Sequence, residues 1–140
     1  MNMNNGLYMS INPNATSKIE NKDKTYEFRN YIPKRKFDKL YVYVTSPVCE
    51  LKYILLIDEI ISYPNKISEN GDGNHEFNQG TKSKHAYQIS KVYKLKKSIL
   101  LNELKEKYGF VPPQGYAYSD RYSDLTNFVE SAEKDLVWKK

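Results

Sequence analysis

The chain has 140 residues, 39% apolar and 28% charged, and 22 Lys and Arg against 17 Asp and Glu give a formal net charge of +5. That length fits one domain of ordinary size and excludes two. The longest apolar run, Tyr53 to Ile57, is broken by Asp58 and Glu59, well short of the ~20 residues of a membrane helix, so no membrane partner is expected.

Met1 to Asn5 shows no basic block followed by an apolar one, so no export signal is expected and the residues are read as disordered. The expected location is intracellular, cytoplasmic or nuclear. Leu7 to Ile11 has the character of a short strand. Asn12-Pro13 then makes a helix start, with the Asn side chain capping free amides and Pro at the first helical position, and the helix runs to about Asn21. From Lys24 to Arg29 the residues alternate, Tyr26 and Phe28 on the core face and Thr25, Glu27 and Arg29 on the other, which is the period of a half-buried strand.

Leu40 to Thr45 alternates in the same way, and Leu51 to Ile61 is apolar on both faces until Asp58, the pattern of a central strand. Ser62 to Ser83 contains Pro64, Gly71, Gly73 and Gly80 among Asn and charged residues. It reads as a long loop, a class that is often functional or disordered. Ala86 to Leu95 returns to strand character. Leu101, Leu104 and Tyr108 share a helical face that Gly109 ends, and Pro112-Pro113 prevents resumption. Leu125, Phe128, Val129, Ala132 and Leu136 recur as one apolar stripe, which predicts an amphipathic helix over residues 123–138 that packs on the domain or on a protein partner. Short mixed strands with peripheral helices, lacking a regular strand–helix rhythm, indicate an α+β domain on a small curled sheet or barrel.

The chemistry-bearing residues are few. Cys49 is the single cysteine, which excludes an internal disulfide and thiolate zinc frames; it reads as a small buried residue. His75 and His85 match no zinc spacing. Asn70 to Asn74 resembles the start of a calcium loop, but His75 and Thr81 stand where the turn Gly and bidentate Glu are needed. No metal and no cofactor is expected. Basic residues cluster at Lys34 to Lys36, at Lys82 to His85 and at Lys91 to Lys97, with tyrosines among them, a mixture suited to backbone neutralisation and base stacking. Lys24, Thr25, Glu27 and Arg29 form the one compact polar group held on a strand, where an ordinary surface ion pair of ~0 to 1 kcal/mol is the plain alternative.

Ser10-Ile11-Asn12-Pro13, Ile19 and Lys24-Thr25-Tyr26-Glu27-Phe28-Arg29 resemble the opening of ASCH domains in the PUA-like superfamily, whose second strand bears a Gly-x-Lys-x-x-Glu-x-Arg pattern. Tyr41 to Val48, Leu51 to Ile61, Ala86 to Ile89 and Leu101 to Gln114 are similar to its later segments, so the resemblance covers about Leu7 to Tyr118. Arg29-Asn30-Tyr31 and Tyr43 to Ser46 are loosely similar to the EVE and YTH branches. Lys22 departs from the family's Gly and Tyr53 from a Gly in the long strand, and Lys tolerates positive φ poorly. The resemblance implies a PUA-like small mixed β-barrel with peripheral helices and a cleft for RNA or a nucleobase beside the first helix and the Lys24 to Arg29 strand.

The leading expectation is a non-catalytic reader of RNA, or of a modified or unpaired base in single-stranded nucleic acid. Ser10, Lys24, Glu27, Arg29, Asn30 and Ser46 are its binding candidates. Asn74 and Phe77 join them from the long loop that closes over the cleft, Phe77 as either a core anchor or a stacking platform. The alternative is a small hydrolase, amidohydrolase or ribonuclease-like, with Lys24 and Glu27 as an acid–base pair. Amidohydrolase relatives place Thr where this chain has Glu27.

Overall fold

A computed structural model describes residues 5–140. The disorder expected over Met1 to Asn5 falls, except for Asn5, outside them. The strands are β1 (Gly6–Ile11), β2 (Tyr26–Arg29), β3 (Lys39–Val44), β4 (Glu50–Ser62), β5 (His85–Leu100), β6 (Tyr116–Tyr118) and β7 (Lys134–Lys139). The helices are α1 (Pro13–Glu20), α2 (Asn74–Asn78), α3 (Leu101–Tyr108) and α4 (Ser123–Ser131), and one 3-10 turn, Ser119–Tyr122, precedes α4.

All seven strands belong to one sheet, ordered β2-β5-β4-β3-β1-β6, with β7 paired to β5. β1 and β3 are parallel, and every other pairing is antiparallel. β4 is central as its two-sided apolar pattern predicts, between β3 and β5, and its register with β5 slips between Leu51 and Tyr53 and again around Ile57. Such bulges bend a strand and increase its twist, and here they curl the sheet. β5 is long enough to give its second edge to two partners in turn, His85 to Gln88 to β2 and Lys91 to Leu95 to β7.

Alternation along β1 and β3 sorts their side chains into two cores. Leu7, Met9, Leu40, Val42 and Val44 meet Leu55, Ile89 and Val92 inside the curl, closed by Ile19 of α1. On the outer face Tyr8, Tyr41 and Tyr43 are covered by Leu104 of α3 with Leu125 and Val129 of α4, and the Tyr8 hydroxyl is bonded to Thr126 Oγ1 at 2.7 Å. A third cluster joins Tyr26 and Phe28 of β2 to Phe77 of α2. Large rings thus fill much of the interior, each burying ~150 to 250 Å².

The helix expected over residues 123–138 is corrected: α4 ends at Ser131, and Ala132 is already extended at φ −70° and ψ 150°. Leu125 and Val129 do pack inward, but Leu136 lies on β7, about half exposed. The free edge of β5 offers backbone partners to Lys134–Lys139, and this pairing overrides a helical period carried by a few residues. The stripe's buried members are therefore used within this chain. The long loop is corrected too, since it contains α2, which is entered through Gly73 at φ 86°. Cys49 is half-buried, not buried, and sits at φ 54° in the turn before β4.

Candidate functional site

Local rules bring the site residues together at the open end of the curl. Asn12 caps α1 by accepting from the Ala15 amide at 2.8 Å, with Pro13 at the first position, so the sequence signal for the start of this helix is met. At its other end the amides of Asp23 and Lys24 both donate to the Lys18 carbonyl, at 2.9 and 3.0 Å. This tight return needs Lys22 in the left-handed region at φ 65°, a conformation that favours Gly. The lysine adopts it all the same, with its ammonium 5.3 Å from the centre of the Trp138 ring. The turn delivers Lys24 beneath the loop and starts β2.

A cavity of about 290 Å³ lies there, between α1, β2 and the 62–83 loop. Its lining carries four cationic side chains, Lys18, Lys24, Arg29 and Lys82, against two carboxylates, Glu27 and Asp72. Arg29 is fixed by three partners. Its Nε and Nη2 donate to Glu27 Oε2 at 3.0 and 2.7 Å, Nη2 also to the Ser10 carbonyl at 3.3 Å, and Nη1 to the Tyr31 hydroxyl at 3.4 Å. Burial works against its charge, but Glu27 and Tyr31 together outweigh that and hold its pKa above the ordinary value.

Glu27 itself is 6% exposed, and while Oε2 is shared by two guanidinium donors, Oε1 is buried and makes no hydrogen bond. The Lys24 ammonium stands 3.9 Å from Oε1, an ion-pair separation beyond hydrogen-bond reach. Lys24 is also 6% exposed, and its ammonium rests 4.6 Å from the centre of the Phe28 ring. Burial pushes its pKa below the usual lysine value; Glu27 and Asp72 oppose the shift, while Lys82 and Arg29 add to it. The cavity thus presents, side by side, a fixed acceptor without a donor and a desolvated cation. An unsatisfied buried acceptor costs ~1 to 3 kcal/mol, a cost that a ligand's N–H group would remove.

Four of the eight expected residues, Ser10, Lys24, Glu27 and Arg29, are gathered at this cavity. Ser10 contributes its carbonyl, because its hydroxyl is committed to the Pro113 carbonyl at 2.7 Å. The other four are placed elsewhere. Asn30 is exposed and accepts from the Lys84 amide at 3.1 Å, tying β2 to the loop. Ser46 is exposed in the turn after β3. Phe77 is fully buried against Phe28, ring centroids 5.8 Å apart, so it is the core anchor and not the stacking platform. Asn74, also fully buried, borders a separate cavity of about 360 Å³ with Thr25, Tyr26 and Trp138. Thr25 therefore leaves the face it was expected to share with Glu27 and Arg29.

Sequence reasoning missed Asn14, Lys18, Asp72 and Lys82 as lining residues. Lys18 follows from the 3.6-residue period once Asn12 is taken as the cap, whereas Asp72 and Lys82 come from a loop that has no period to read. Among the described residues no group of three or more His, Cys, Asp or Glu side chains is gathered as a metal would require, and no helix is long and apolar enough to cross a membrane.

The chain is similar in structure to the ASCH protein of Zymomonas mobilis, with a TM-score of 0.67 and 21% identity over 93% of this chain and 97% of that one. A tyrosine-to-phenylalanine variant of the same protein gives 0.66 over 92% and 99%, and a serine-to-alanine variant 0.64 over 91% and 99%, each again at 21% identity. The fold is that of an ASCH domain. No family model matches the chain, and no curated protein matches it in sequence. The α+β, barrel-like architecture expected from the sequence is the one found, with the ASCH helix-to-strand turn made by Lys22 in a glycine's conformation.

Proposed function

We propose that this ASCH-fold chain reads a single base of RNA, unpaired or modified, in the cavity beside Lys24, Glu27 and Arg29. The observation that carries the reading is Glu27 Oε1, a buried acceptor without a donor, set 3.9 Å from a buried ammonium. A base edge offers the complement, an amino or imino N–H for the carboxylate next to a carbonyl or ring nitrogen for the lysine, and Glu accepting from a base amino group is an established pairing. Arg29 holds the carboxylate in one orientation, so the acceptor is aimed before the base arrives. Lys18 and Lys82 at the rim suit the phosphates on either side, which position a strand without reading it.

The test is calorimetric titration of the chain and of Glu27→Gln with trinucleotide RNAs that differ at the central base, modified bases included, at two salt concentrations. The chain should separate best from worst by ~10-fold or more at both salts, and Glu27→Gln should flatten that ratio, as expected when one base-reading acceptor is removed. Binding that ignores the base and disappears at higher salt would leave only counterion release and would overturn the reading. DNA trinucleotides run alongside decide whether the sugar matters.

One observation favours a second reading. A buried lysine whose pKa is pushed down is a more capable proton acceptor near neutral pH, and Lys24 is such a lysine. In a hydrolase acting on a modified nucleoside it would serve as the base, with Glu27 beside it. Chromatography of modified nucleosides incubated with the chain checks this, and unchanged substrates would rule it out for those compounds.

A further inference from the structure

A row of rings begins beside Arg29 at the cavity wall. Arg29 Nη1 donates to the Tyr31 hydroxyl at 3.4 Å, and the Tyr31 ring lies 5.5 Å from that of Tyr116. Tyr116 lies 5.3 Å from Tyr118 on the same side of the edge strand β6. Over Tyr118 sits the Arg35 guanidinium, 3.8 Å from the ring centre, while the Tyr118 hydroxyl accepts from the Arg35 amide at 3.2 Å. All three tyrosines are half-buried, and Ile32, Lys34, Arg35 and Lys36 beside them are exposed. Asp120 pairs with Arg35 at 3.1 Å, and among the described residues neither Lys34 nor Lys36 is in an ion pair.

Core packing accounts for the inner sides of Tyr116 and Tyr118. It does not require three half-exposed rings in sequence, nor a guanidinium placed over the last of them. Aromatic rings and arginine planes are the two surfaces on which unpaired bases stack, and a basic groove interleaved with aromatics is the usual platform for a single strand. Arg35, with Tyr118 on one side, keeps its outer plane for a base, while Lys34 and Lys36 stand where phosphates would run.

We propose that this tyrosine and arginine row carries the nucleotides flanking the base in the cavity, so that the chain grips a stretch of single-stranded RNA. The proposal rests on the single-base reading for its starting point at Arg29, and Tyr31 is the link between the two. It predicts an affinity that grows with strand length and does not depend on sequence outside the pocketed base.

Fluorescence anisotropy with a labelled ten-nucleotide RNA and a labelled trinucleotide tests it. The decamer should bind more tightly, and Arg35→Ala and Tyr116→Ala should each weaken it by ~10-fold, the effect of losing one stacked base, while leaving the trinucleotide within about twofold. Lys34→Ala with Lys36→Ala, both exposed and safe for folding, should lower the salt slope for the decamer by about one for each phosphate no longer neutralised. A decamer bound no better than a trinucleotide, or one bound equally by all the variants, would overturn the row. Failure of the single-base reading looks different: the trinucleotides would then show no base preference and no response to Glu27→Gln.

Discussion

Among the described residues two buried lysines each pair with a glutamate, and the two pairs are built in opposite ways. On the outer face of the sheet, Lys39 Nζ donates to Glu130 Oε2 at 2.8 Å, and the Tyr41 hydroxyl donates to the same oxygen at 2.5 Å. Burial opposes ionisation of Glu130, but those two donors with the nearby Lys134 charge outweigh it and hold the carboxyl below its ordinary value. At the open end, Lys24 and Glu27 stand 3.9 Å apart, nearer to full burial than the first pair, with one carboxylate oxygen unbonded. The first pair is in direct hydrogen-bond contact, a strut between β3 and α4. The second is held apart, and Glu27 Oε1 lacks a donor. Buried ion pairs are weak evidence for stability as a class, and the contrast shows why geometry has to decide the role of each one.

Removing one cation at a time separates the roles of the two pairs. Lys39→Met should cost about 3 kcal/mol in denaturant unfolding, the low end for a broken buried pair, because Glu130 keeps Tyr41 and is 20% exposed. If that variant unfolds at the native midpoint, the strut is not one. A smaller effect should follow pH. A carboxyl depressed in the folded state contributes stability that is complete above its unfolded value and is lost as pH falls through the folded one. The stability difference between the chain and Glu130→Gln should therefore be level near neutral pH and shrink below about 4.5. A gap unchanged at pH 3 would mean that Glu130 is not held ionised by its partners.

The sequence made some of this legible for physical reasons. Asn12-Pro13 located α1 because capping is a local interaction, and Gly109 at φ 63° ended α3 as expected. Lys24, Glu27 and Arg29 stood out because an alternating strand fixes which side chains are neighbours. Phe77 takes the core-anchor alternative because Phe28 draws it inward, and α2 carries Asn74 away from the cavity with it. β7 was missed because a helical stripe and a strand can share the same apolar residues, and only the free edge of β5 decides between them. The separation of Lys24 from Glu27 could not be read at all, since it depends on Arg29 taking the other carboxylate oxygen.

The central claim is that the Lys24 and Glu27 pair is kept for a ligand and not for the fold. Its most direct test measures unfolding and trinucleotide binding on one preparation of Lys24→Met. In that variant Glu27 keeps Arg29, and a buried cation pushed toward neutrality is gone. Stability should stay within about 1 kcal/mol of the parent chain or rise, because Arg29 still pairs with the carboxylate and the cation removed is one that burial disfavours, while discrimination among central bases disappears. A loss of several kcal/mol with base discrimination intact would contradict the account and make Lys24 a second strut.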